Sequence, residues 1–273
     1  MQPSLPRAAR LPINRCNLPA DILGSLTFQQ HPATLKLDGV DELHHRLFTR
    51  LAGLEDIHER AAAFMAHMDA AFSLGHPEDA GYNPARPWGR AKANYLKVLR
   101  GWAFDADGRE GAVLKGWVES RFGLLPRHHG GPIRDFSGPT YRHYLEQRSG
   151  GLYNTNSLEA QFDLLYAWCQ YELERRQPGA SHLTLYRGVN RMDCYEEIDA
   201  AARTRNQRVV LLNSLNSFTR ERERACEFGD SILEVQVPLT KVFFFHGLLP
   251  GKLRGEEEYG VIGGVYAVKL SAE

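Results

Sequence analysis

Leu183-Thr184-Leu185-Tyr186-Arg187-Gly188 marks a change of character in the chain. Leucine alternates there with polar or amphipathic neighbours, the two-residue period of a strand with one buried face. Upstream, apolar residues recur every three or four positions; downstream, short runs rich in Val, Ile and Phe follow one another. Helices first and strands afterwards describe an α+β protein, not the alternating order of a doubly wound dinucleotide-binding sheet.

Downstream, Arg208 to Leu212, Ser231 to Val237, Lys241 to Phe245 and Val261 to Leu270 read as further strands. Helices are expected at Cys194 to Arg205 and Glu221 to Phe228. Residues 181–273 are therefore expected to form a β-rich core. In residues 41–180, Leu43, Leu47, Leu51, Leu54, Ala61, Met65, Met68 and Phe72 form the stripe of one or two amphipathic helices. Further helices are expected at Ala91 to Arg100 and Gly111 to Phe122. Another is capped by Asn156 with Glu159 as reciprocal partner and ends near Gln177, before Pro178-Gly179. Residues 1–40, rich in Pro and turn formers, read as an extended lead-in wrapped over the body.

The chain has 273 residues, enough for a substantial core, and 33 basic side chains against 33 acidic ones. That balance gives no reason to expect a nucleic acid or an anionic membrane as partner. Cys16, Cys169, Cys194 and Cys226 are scattered without a Cys-x-x-Cys pair, which fits free thiols in a reducing compartment. No apolar run is long enough to span a bilayer and Met1 to Arg15 lacks a signal-peptide hydrophobic region, so the expected location is the cytoplasm.

Metal signals are weak. His58-Glu59 lacks the second histidine of a zinc protease helix. Asp105-Ala106-Asp107-Gly108 opens like a calcium loop without the later ligands, and reads as a polar turn with Gly108 at positive φ. His128-His129 has no further ligand at spacing, and reads as a solvated loop. No metal is expected.

Three segments carry chemistry. Arg187 shares strand parity with Leu183 and Leu185, so its guanidinium is directed to the core side. It needs an anion there, either a ligand phosphate or an internal salt bridge. Gly188 permits a ligand to approach the backbone, or merely makes a tight turn. In Asn216-Ser217-Phe218-Thr219 the two hydroxyls share a face, Thr219 can cap a following helix, and Phe218 stacks on a planar ring or fills core. In Glu256-Glu257-Glu258 the outer carboxylates share a face if the segment is extended. They can then divide two tasks, stabilising positive charge and accepting a proton. The set suits cleavage of a glycosidic bond next to a diphosphate.

Tyr186-Arg187-Gly188, Asn216-Ser217-Phe218-Thr219 and Glu256-Glu257-Glu258 resemble, in the same order, the Arg, Ser-x-Thr/Ser and Glu-x-Glu signature of NAD-dependent mono-ADP-ribosyltransferases. The resemblance implies a split β-sheet core in the C-terminal part and NAD as co-substrate. Arg187, Gly188, Ser217, Phe218, Thr219 and Glu258 would line the NAD site. Arg187 would contact the pyrophosphate and Ser217 would support the site. Glu258 would bind the nicotinamide-ribose 2′-hydroxyl and favour the cationic sugar, while Glu256 would activate an acceptor arginine. Arg100-Gly101-Trp102-Ala103-Phe104-Asp105 and Gly111 to Trp117 resemble the branch of this family that acts on the nitrogenase iron protein. That likeness implies the iron protein as substrate and a PII signalling protein as regulator. An NAD glycohydrolase and a non-catalytic binding module on the same fold are the alternatives.

Overall fold

The computed structural model describes residues 3–76, 94–152, 157–253 and 257–272. The predicted cap Asn156, the predicted site residue Glu256 and the turn-rich stretch around Pro84 lie outside them. Helices come first: α1 (Ala20–Leu23), α2 (Leu26–Gln30), α3 (Val40–Leu43), α4 (His45–Ala52), α5 (Ile57–Phe72), α6 (Tyr95–Phe104), α7 (Arg109–Phe122), α8 (Pro139–Gly151) and α9 (Leu158–Arg176). Strands follow: β1 (His182–Val189), β2 (Glu196–Glu197) and β3 (Gln207–Thr219), then the short helix α10 (Arg222–Cys226), then β4 (Ser231–Pro238), β5 (Val242–Phe245) and β6 (Glu258–Ala272). This is the expected α+β order. No described helix is long and apolar enough to cross a membrane.

Local chemistry sets several boundaries. The Asp56 carboxylate accepts from the backbone N–H groups of His58 and Glu59 at the start of α5, and Asn94 does the same for Lys97 in α6 at 2.9 Å. The Leu43 to Phe72 stripe divides into three helices, not one or two, because it breaks at His44 and again between Gly53 and the Asp56 cap. Gly101 to Phe104, expected beyond the helix, complete α6. The predicted helix from Cys194 to Arg205 does not form. Two 3-10 turns and β2 take its place, with Asp199 bonding to the N–H groups of Ala201 and Ala202 and Glu196-Glu197 pairing with β3. Local side-chain bonds and a free strand edge outcompeted helix propensity. Nothing in the sequence pattern announced α8, whose inward face is Tyr144.

The strands are antiparallel and run in the order β2-β3-β1-β4-β6-β5, with β3 also paired to β6. The β3–β6 ladder is the longest, from Gln207↔Lys269 to Thr219↔Glu258, with a shift between Leu212 and Leu215. Gly263 faces that bulge. A Cβ there would lie 1.7 Å from the Asn213 carbonyl oxygen, so no other residue fits. The displaced Asn213 side chain accepts from the backbone N–H of Arg127 at 2.8 Å and donates to the His128 carbonyl at 2.9 Å. An irregularity in the sheet thus fastens the loop that carries the paired histidines.

Helices cover the sheet. Trp117 of α7 lies 4.4 Å, centroid to centroid, from Phe243 of β5. The Gln170 amide of α9 donates to the Val242 carbonyl at 2.7 Å. Two buried charge clusters tie the helices together: Arg60 with Glu172 at 2.6 Å, and the Arg121 guanidinium forked onto Asp163 at 2.7 and 2.8 Å.

The lead-in is not simply extended, since α1 and α2 form within it. Gln29 of α2 fills a seam where β4 and β6 have parted beyond Glu234↔Lys269. Its amide donates to the carbonyls of Gln236 and Ala267 at 3.1 Å and accepts from the Ala267 N–H at 2.7 Å. Gln29→Leu keeps the bulk and orphans these backbone groups, so unfolding stability should fall by about 2–3 kcal/mol, read from the denaturant midpoint.

Candidate active site

Three strand ends build the site. Asn216-Ser217-Phe218-Thr219 closes β3, Glu258 opens β6, and Tyr186-Arg187-Gly188 lies near the end of β1. Cross-strand register aligns them: Tyr186 is opposite Thr219, and Thr219 is opposite Glu258. Residues remote in sequence stand in one row across three neighbouring strands.

The half-buried Arg187 guanidinium donates to the Ser217 carbonyl at 2.7 Å and to the Tyr195 hydroxyl at 3.3 Å. Among the described residues no carboxylate lies within ion-pair range of it, so no internal salt bridge to Arg187 is found among them. A cation held this way retains its charge for a ligand. The Ser217 hydroxyl has no hydrogen-bond partner among the described residues. Thr219 is buried and accepts from the Glu221 N–H at 3.2 Å, fixing the turn into α10. Phe218 fills core, 2 % exposed, while edging the cavity. Gly188 borders the cavities described below, and its bareness also admits the backbone of α10: a Cβ there would meet the Ala225 carbonyl oxygen at 2.0 Å.

Glu258 accepts from the Trp102 indole N–H at 2.8 Å, a contact from the helical part that sequence reading did not anticipate. The condition of an extended segment is not met at Glu257, which is exposed with φ 45°. The strand therefore begins at Glu258.

Two cavities meet at Arg187. One, of about 570 Å³, is lined by Glu258, Tyr186, Arg187, Ser217, Thr219, Trp102 and Phe228 among others. The other, of about 400 Å³, is lined by Arg187, Lys115, Arg127, Arg134, Arg191, Asp107, His128 and Tyr195 among others. Trp102, Ala106, Arg187, Gly188, Ser217 and Phe228 border both. The first offers a carboxylate beside hydroxyls and aromatic rings; the second is predominantly cationic. A larger hollow of about 840 Å³ between residues 32–49 and α9 holds none of the predicted groups.

Lys115 is the surprise of the second cavity. Its ammonium, 1 % exposed, donates to Asp107 at 2.7 Å and to the His128 carbonyl at 3.0 Å, and stands 3.3 Å from His129 Nδ1. Burial pushes the Lys115 ammonium down and Asp107 offsets part of that. Burial would raise the Asp107 carboxyl, but His128 and Lys115 outweigh it and hold it well below the usual range. Two expectations are corrected here. Gly108 has φ −82°, so it supplies no positive angle; the turn is closed by Asp105, which accepts from the N–H groups of Asp107 and Gly108, while the Asp107 side chain reaches Lys115. His129 is not solvated but fully buried. A lysine in an apolar helix stripe gives no signal that separates it from a surface residue. Among the described residues no group of three or more His, Cys, Asp or Glu side chains is disposed to hold a metal.

Burial, with Lys115 beside it, pushes His129 down to about 4 from its ordinary 6.5. As pH falls the unfolded chain takes up this proton first. The His129 contribution to stability is therefore complete above about 6.5 and is lost as pH falls towards about 4. Urea midpoints should decline less steeply across that window in His129→Asn than in the wild type.

The family described as Dinitrogenase reductase ADP-ribosyltransferase (DRAT) matches residues 13–270. The chain is 43% identical over 263 residues to the NAD(+)--dinitrogen-reductase ADP-D-ribosyltransferase of Rhodospirillum rubrum, covering 94% of this chain and 94% of that protein. No solved structure matches. The match runs through the helical part and the strands alike, and the chain belongs to the dinitrogenase reductase ADP-ribosyltransferase family.

Proposed function

We propose that this chain moves ADP-ribose from NAD to an arginine of the nitrogenase iron protein, dinitrogenase reductase, and releases nicotinamide, switching off nitrogen fixation. The observation that carries the reading is the row Tyr186, Thr219 and Glu258, with Arg187 beside it, on one cavity of a chain in this family. The joined cavities suit a dinucleotide in size, since small-molecule sites run to about 300–1,000 Å³. Arg187 at their junction and Lys115, Arg127, Arg134 and Arg191 beyond it suit the pyrophosphate and the adenosine half. The cavity around Glu258 suits the nicotinamide ribose.

In this arrangement Glu258 hydrogen-bonds the ribose 2′-hydroxyl and stabilises the positive charge that develops at C1′ as its bond to nicotinamide breaks. The bonding electrons leave with nicotinamide. An acceptor guanidinium nitrogen forms the new bond to C1′ and loses a proton. Arginine is a poor nucleophile while protonated, so a second carboxylate is needed to orient it and take that proton. Glu256 fills that role in this reading. Regulation by a PII signalling protein is inferred from the family resemblance, and a cytoplasmic location from the scattered free cysteines and the sequence's want of a spanning or signal-like apolar run.

NAD labelled in its adenylate half, incubated with the purified iron protein, should leave label covalently on an arginine of that protein. Free ADP-ribose alone would favour hydrolysis and overturn the reading. Glu258→Gln should lower transfer by about 100-fold or more while the protein stays folded. Arg187→Gln should raise the KM for NAD by about tenfold with a smaller effect on kcat, the pattern of lost ground-state binding.

A further inference from the structure

We infer that Trp102 is a positioning residue for Glu258, so that helix α6 completes the catalytic centre built by the strands. This rests on the reading of Glu258 as the carboxylate that acts on the sugar. The indole N–H donates to Glu258 Oε1 at 2.8 Å, and the ring is 2 % exposed on the wall common to both cavities. Two residues before it, the Arg100 guanidinium donates to the Lys252 carbonyl at 3.2 and 3.3 Å. The backbone N–H of His246 donates to the Glu258 carbonyl at 2.8 Å, closing the base of the same connection between β5 and β6. Helix α6 therefore holds that connection at Lys252 and the first residue of β6 at its carboxylate.

The identity of the donor is what gives the contact a meaning beyond packing. A lysine or arginine in this place would fix the carboxylate but neutralise the charge that has to face C1′. An indole N–H is donor only and uncharged. It orients one oxygen, favours the ionised form, and leaves the negative charge in place in a low-dielectric cavity, where it acts most strongly. A long aromatic side chain anchored in the core also has few rotamers, so the carboxylate inherits its rigidity.

Trp102→Phe keeps the ring in the core and deletes the donor. The expected result is a fall in kcat of about 10- to 100-fold with the KM for NAD changed by less than about threefold. The acid limb of kcat/KM should move to higher pH by about one unit, because Glu258 loses a bond to its charged form. The variant leaves in place the other described groups around Glu258, among them Arg100 on α6, Tyr186 and Arg187 on β1, the hydroxyls of Ser217 and Thr219 on β3, His246 after β5, and Glu257 and Tyr259 in its own segment.

A second measurement needs no substitution that risks the fold. Of the four indole N–H resonances of the tryptophan-labelled wild type, that of Trp102 should follow the titration of Glu258, and in Glu258→Gln it should stay constant. An unchanged acid limb and kcat in folded Trp102→Phe, or a Trp102 resonance that ignores Glu258, overturns the inference. Glu258→Gln with wild-type transfer would instead overturn the reading of Glu258 itself, so the two failures are told apart.

Discussion

The antiparallel pairing of β3 with β6 is the constraint on which the site depends. Backbone hydrogen bonds set its register, and that register alone places Thr219 beside Glu258. One bridge further, Tyr186 meets Thr219 and brings Arg187 within reach of the Ser217 carbonyl. A slip by one residue would turn every side chain to the other face. The slip is opposed from two sides: by the bulge between Leu212 and Leu215, into which only Gly263 fits, and by the apolar faces of β3 and β6 buried under the helices.

The same ladder also organises the helical part. The bulge turns Asn213 outwards to hold the backbone of Arg127 and His128, and His128 in turn presents its carbonyl to Lys115. From the opposite side Gln29 closes the seam between β4 and β6. The helices are thus more than an outer layer. Through Trp102 and Lys115 they supply polar side chains to the cavities the strands define, which a β-rich core would lack by itself. Burying such groups is costly unless each finds a partner, and here each does: indole to carboxylate, ammonium to carboxylate and carbonyl.

Several readings of the sequence failed for a common reason. Residues 194–205 have the composition of a helix, yet Asp199 bonds locally and Glu196-Glu197 join a strand edge. Gly108 looked like the positive-φ residue of a polar turn, but Asp107 is drawn inward by Lys115 instead. His128-His129 looked solvated because glycines surround it, and the fold buries His129 against Lys115 and Tyr144. In each case a specific side-chain partner, close by for Asp199 and further along the chain for Asp107 and His129, decided the outcome.

The sequence by itself determined the α+β order, the positions of most strands, and the family, because alternation, helical stripes and short motifs are local properties written in consecutive residues. It also singled out Arg187, Ser217 and Glu258 by residue type and order. Tertiary structure alone decided that Arg187, Ser217 and Glu258 border one cavity, beside the row of Tyr186, Thr219 and Glu258, that Arg187 lacks a carboxylate partner among the described residues, and that Trp102 reaches Glu258. Those facts are set by strand register and by which helix the sheet carries above its open end, and both arise from contacts between segments far apart along the chain.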